Sequence, residues 1–283
     1  MHQETSLIVN AIESLNHEHS IFKEYLFPIF SAFFTSLLGA GIAYFFFRYQ
    51  EDIKIEKEKI DVTNKWILHA EEAMQNLIMF KNNYHGKLKS SPIQRAMAMP
   101  NIIFTASSIT EDYSKLSFLT RETLKGKYLK WSQVPRIRAM FHNYNYVQEL
   151  FNTLNETNQP IKEKILILTS NKAFIDVSED DILKSIDHAS LATVIAINEL
   201  IINLIDDLLI EFEDFMTNFP IYAKTLINTK RLQKYGAILT YTNEDNKMRK
   251  TLLEQSPKAD YKSVVDLFGK TEEELKQQFS TGY

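Results

Sequence analysis

The stretch YLFPIFSAFFTSLLGAGIAYFFF, Tyr25 to Phe47, runs for 23 residues without a charge. As a helix rising about 1.5 Å per residue it covers about 34 Å, enough to cross a hydrocarbon core about 30 Å thick. Lys23 and Glu24 close one side and Arg48 the other, and Tyr25, Tyr44 and Tyr49 stand where interfacial aromatics are favoured. Pro28 falls in the first turn, where its missing N–H costs little. The leader carries Glu4, Glu13, Glu18 and Glu24 in place of a basic region, so the pattern reads as an uncleaved anchor and not a signal peptide.

Bulky and small pairs alternate inside this run. Ser31, Thr35, Gly39 and Ala43 form one four-residue series, and Ala32, Ser36 and Ala40 form a second beside it. Four residues advance about 400° around a helix of 3.6 residues per turn, so each series drifts slowly across one face. Such a face lets two backbones approach closely, which predicts self-association through the small residues with Phe and Leu facing lipid.

Orientation follows from lysine and arginine. Only Lys23 precedes the span, whereas Arg48, Lys54, Lys57, Lys59 and Lys65 follow it. Positive charge stays inside, so the expected topology places residues 1–24 outside and the larger C-terminal part in the cytoplasm. A second apolar stretch, Ser190 to Ile210, contains Asn198, Glu199, Asn203, Asp206 and Asp207. A mid-bilayer acid costs about 2.5–3.5 kcal/mol even on lenient scales, so this segment reads as a buried helix of the soluble part.

Only seven glycines and seven prolines, with long stretches free of both, predict an all-α protein. The expected layout is a segment 1–24, a membrane helix 25–47, a helical stalk 48–85 and a cytoplasmic helical bundle 86–283. Ile53, Ile60, Ile67 and Met74 recur every seven residues, with Ala70 and Leu77 as companions, which fits either a coiled-coil seam between chains or packing on the chain's own helices. Ile137, Met140, Tyr144, Val147, Phe151 and Leu154 define an amphipathic helix expected to end near Pro160. Ser178 with Asp181 reads as the cap of a helix of about forty residues reaching Pro220. Thr271 with Glu274 reads as a capping box for the final helix.

The chemistry-bearing patterns are sparse. The absence of cysteine excludes disulfides, thiolate metal sites and thiol nucleophiles. The net charge of −4 makes a dedicated nucleic-acid binder an unfavoured reading. No Gly-rich phosphate loop, helical His-Glu-x-x-His pair or Gly-x-Ser-x-Gly elbow occurs. Asp207, Glu211 and Asp214 share one helix face and could hold a hard divalent cation with help from another element; the same face suits salt bridging, and no metal or cofactor is expected. Six basic residues, Arg121, Lys125, Lys127, Lys130, Arg136 and Arg138, accompany one acid between 121 and 138, with Tyr128 and Trp131 interleaved. That composition fits a membrane surface or another anionic partner, or docking on the acidic helix.

Arg136 and His142, with five residues between them, resemble the Arg-x(4-6)-His motif of the HEPN ribonucleases, all-helical dimeric domains of bacterial conflict systems. The resemblance implies phosphate stabilisation by Arg136 and proton transfer by His142, although Ile137 stands where that family favours a polar residue. The whole layout resembles, without any shared residue motif, the membrane-anchored effectors of bacterial phage-defence systems, abortive-infection and retron-type ones included. It implies a single-pass inner-membrane protein that acts by association, with a protein partner from a neighbouring gene. A membrane-anchored scaffold or receptor subunit of an envelope complex would have the same layout.

Overall fold

The computed structural model describes residues 2–16, 22–103, 108–120, 130–169, 177–232, 235–241 and 247–282. Among them the chain is all-α, with helices and short 3-10 turns and no strand. It divides into two compact units, Met1–Lys57 and Glu58–Tyr283.

The first unit holds α1, His2–Asn16, a π-helical turn at Phe22–Leu26, and the beginning of α2, Phe27–Tyr84. Pro28 is the second residue of α2, directly after the π turn. The run Lys23–Tyr84 is long and apolar enough, by length and composition, to cross a membrane; no other described helix is. Its most apolar window has no buried residue. That separates it from an ordinary core helix, whose apolar side chains would be covered.

The second unit is built around α6, His188–Leu226, which is apolar over most of its circumference. Leu191, Val194, Ile195, Ile201, Ile202, Ile205, Leu208, Leu209, Phe212, Phe215 and Phe219 are all fully buried. A helix wrapped on every side belongs at the centre of a bundle. Its main partner is α4, Val134–Leu168. Ile137, Met140, Tyr144, Val147, Phe151 and Leu154 form the buried stripe of α4, at the spacing read from the sequence. The later part of α2 supplies a third face with Trp66, Ile67, Ala70, Met74, Leu77 and Phe80. Phe141 knits the three together, 4.9 Å from the Trp66 ring and 5.4 Å from that of Phe212. The short α3, Pro92–Ala98, packs across α6, capped by the Ser91 hydroxyl.

Several boundaries differ from those read in the sequence. Of the heptad-like series Ile53, Ile60, Ile67 and Met74, the last three are buried in the second unit against the chain's own helices, one of the two readings the spacing left open. Ser178 caps only α5, Glu179–Ser185; the chain then breaks at Ile186 and Asp187 caps α6, its side chain accepting from the Ser190 N–H at 2.8 Å. Pro160 and Pro220 lie inside α4 and α6 and do not end them. A proline inside a helix costs about 3 kcal/mol. Beyond Pro220 the helix buries Tyr222 and Ala223, and beyond Pro160 it buries Ile161, each large side chain contributing about 1.5–3 kcal/mol, which offsets the loss.

The C-terminal segment closes the second unit with α7, Lys247–Leu253, a 3-10 turn at Tyr261–Val264, α8, Val265–Phe268, and α9, Glu272–Gln278. Gly269 has φ +60°, the left-handed C-cap that lets the chain turn from α8 to α9. Thr271 and Glu274 complete a capping box at the start of α9.

Candidate functional site

In the first unit, Ser31, Ala32, Thr35, Ser36, Gly39, Ala40 and Ala43 are all exposed on α2. A Cβ placed on Gly39 would meet nothing within 4 Å. The Thr35 hydroxyl donates to the Ser31 carbonyl at 2.7 Å, so it is satisfied within its own helix. Among the described residues nothing covers the small face, and the adjoining Phe33, Phe34, Leu37 and Leu38 are equally open.

In the second unit the basic run meets the acidic helix. Lys130 lies 3.0 Å from Glu211 and 2.6 Å from Asp214, and Arg136 lies 2.8 Å from Glu211. The Trp131 Nε1–H donates to Asp214 at 3.1 Å, and its ring stands edge-on to Phe215 at 4.9 Å. The Lys130 ammonium sits 4.9 Å from the centre of the same indole. Lys130 and Arg136 are thereby engaged inside the fold. Arg121, Lys125 and Lys127 lie outside the described residues. Arg138 is exposed and pairs with no carboxylate among the described residues.

Two of the three acids on α6 share Lys130, and the third is held elsewhere. Asp207 accepts from the Thr281 hydroxyl, Glu211 takes Lys130 and Arg136, and Asp214 takes Lys130, Trp131 and the Asn218 amide. Among the described residues no group of three or more His, Asp or Glu side chains is arranged to hold a metal. Burial pushes the Asp207 carboxyl up from its ordinary value, reinforced by the charges of Asp206 and Glu211.

Arg136 and His142 face different surroundings. They are six residues apart on α4, a rotation of about 240°. Arg136 turns toward α6, whereas His142 lines an exposed recess with Glu111 and Arg138.

The most buried polar assembly lies elsewhere and joins α2, α3 and α6 to the C-terminal segment. Arg95, 1% exposed, holds Glu199 at 2.6 Å and also donates to the Pro257 carbonyl. The Tyr261 hydroxyl reaches Glu199 from the other side at 3.1 Å. Lys81, equally buried, holds Asp206 at 2.7 Å and donates to the Glu254 carbonyl. Asp206 also accepts from the Ser256 N–H at 2.6 Å and from its hydroxyl at 3.2 Å. Desolvation raises the Glu199 carboxyl, and the neighbouring Arg95 opposes that shift. Burial raises the Tyr84 phenol well above its usual range, with the Asp206 charge adding to it; its hydroxyl has no hydrogen-bond partner among the described residues.

Two ion pairs sealed under residues 254–261 fix the closure of the C-terminal segment through charge-assisted bonds. Sequence reading missed this assembly. Arg95, Lys81, Glu199 and Asp206 come from distant helices, and only the acids within an apolar run signalled buried polarity. Comparison with protein-family models, with curated proteins and with solved structures finds no match.

Proposed function

We propose that the chain is a single-pass inner-membrane protein, with residues 1–24 outside and the helical C-terminal domain in the cytoplasm. It acts by association, as a membrane-perturbing effector of an antiviral abortive-infection system. The observation that carries the membrane reading is the helical run through residues 25–47, uncharged and open along its length. Exposed Leu7, Ile8, Val9 and Ile12 on α1 add apolar surface suited to a bilayer interface. Self-association through Ser31, Thr35, Gly39 and Ala43 and their neighbours Ala32, Ser36 and Ala40 would gather several anchors in one place.

Action without catalysis fits the engagement of Lys130, Arg136, Glu211 and Asp214 with one another, and of Lys81, Arg95, Glu199 and Asp206 with one another. A partner from a neighbouring gene would hold the effector silent until it is triggered. Conditional expression with a potential-sensitive dye and parallel RNA analysis tests this. Loss of membrane potential before RNA decay is expected. RNA cleavage that precedes it and disappears in His142→Ala supports the HEPN-type ribonuclease instead, and an unchanged potential with intact RNA supports a scaffold or receptor subunit.

A further inference from the structure

Arg138 and His142 are four residues apart on α4, which places them one above the other on its exposed side. With Ile109, Thr110, Glu111, Tyr113 and Asn145 they line an open recess of about 400 Å³. A tetrahedral oxyanion or a small phosphomonoester fits in that space.

The other walls are held in place. The Asn145 side chain accepts from the Ile109 N–H and donates to its carbonyl, both at 2.9 Å, pinning the segment 109–113 to α4. Tyr113 lies over Trp66 with ring centres 4.8 Å apart. Both oxygens of Glu111 are occupied, Oε2 by Lys65 at 2.7 Å and Oε1 by His69 at 3.2 Å. Asp112 accepts from the Ser114 N–H at 2.9 Å. Glu72 approaches the other His69 nitrogen at 3.9 Å. The acids around the recess are therefore committed to neighbours. The guanidinium of Arg138 and the imidazole of His142 carry no ion pair among the described residues and stand at the opening.

We propose that this recess binds a phosphate-type dianion, with the Arg138 guanidinium and the protonated His142 imidazole as its two charged donors. Arginine offers parallel N–H groups matched to two oxygens of such an anion. Histidine adds a second charged donor only below its titration range, so affinity rises as pH falls. The charged and titratable groups around the site are Lys65, His69 and Glu72 on α2, Glu111, Asp112 and Tyr113 in the crossing segment, and Arg138 and His142 on α4. With both histidines neutral, Lys65 and Arg138 face Glu72, Glu111 and Asp112; protonation of both turns that balance from net negative to net positive.

The full chain in phosphatidylcholine nanodiscs, titrated calorimetrically with sulfate, tests the site, because sulfate stays a dianion across the working range. Saturable binding is expected, several-fold tighter at about pH 5.5 than at about pH 8. Arg138→Gln should weaken it about tenfold or more. His142→Asn should remove most of the pH dependence, and Lys258→Gln, a remote charge control, should change nothing. Both recess side chains are exposed, so unchanged unfolding midpoints are expected to accompany these variants.

Displacement of sulfate by glycerol 3-phosphate assigns a soluble phosphomonoester, and loss of sulfate binding in discs containing phosphatidic acid assigns a lipid headgroup; either outcome upholds the site. No saturable binding, or binding unchanged in Arg138→Gln and in His142→Asn, overturns it.

Discussion

Arg95 and Glu199 illustrate how a single side chain governs this fold. Both are essentially inaccessible, and each is the other's charged partner. Removing one member of a buried pair leaves an uncompensated charge and costs about 3–5 kcal/mol. Arg95→Met is accordingly expected to lower the unfolding free energy from urea titration by that amount, and Arg95→Met with Glu199→Leu to recover part of it. Recovery is incomplete because the Pro257 carbonyl and the Tyr261 hydroxyl also lose a partner. Tyr84 behaves differently, since its hydroxyl is buried with no hydrogen-bond partner among the described residues and its pKa is raised by burial. In the unfolded chain the phenol ionises near its ordinary value of about 10, while in the folded chain it stays protonated. The unfolded state thus binds fewer protons there, so stability is present below about pH 10 and falls as pH rises through it. Tyr84→Phe is expected to leave the neutral-pH midpoint unchanged or raised, and to flatten the alkaline decline measured by thermal unfolding at several pH values.

The helices show where local signals suffice and where they do not. The buried stripe of α4 and the capping box of α9 were legible because their periods and end residues are local properties of the chain. The breaks misled. Ser178 and Asp187 are both competent caps, and tertiary packing of Ile182 and Ile186 puts a bend between them. Pro160 and Pro220 read as stops because the apolar burial that offsets their cost comes from distant residues. Phe212→Ala in the middle of α6 is expected to cost about 3–5 kcal/mol in denaturant unfolding, since its ring is fully buried against the Phe141 and Tyr144 rings of α4. In the proposed membrane helix, Gly39→Leu or Ala40→Leu is expected to abolish association in a membrane two-hybrid assay while Phe34→Leu leaves it intact. Equal behaviour of all three would remove the small face as the contact.

At the scale of the molecule, one uncharged helix and one helical core account for most of the sequence pattern, and both were visible in it. The partners of the charged residues were not. Lys130 and Arg136 look, in sequence, as available for an external anion as Arg138, yet two of the three are neutralised by Glu211 and Asp214 on a helix about seventy-five residues away. Ion pairing depends on which faces meet, and spacing along the chain carries no such information. The Asn145 clamp on Ile109 and the Asn155 clamp on Ile102, at 3.2 and 2.7 Å, were hidden for the same reason.

The central claim is that residues 25–47 cross a bilayer with the helical domain inside, and the cysteine-free sequence permits a direct test. Glu4→Cys and, separately, Lys258→Cys each provide one thiol for a membrane-impermeant maleimide. Labelling of Glu4→Cys in intact spheroplasts, with labelling of Lys258→Cys only after the membrane is permeabilised, is the predicted result. Labelling of Lys258→Cys in intact spheroplasts, or of neither position until lysis, would contradict it.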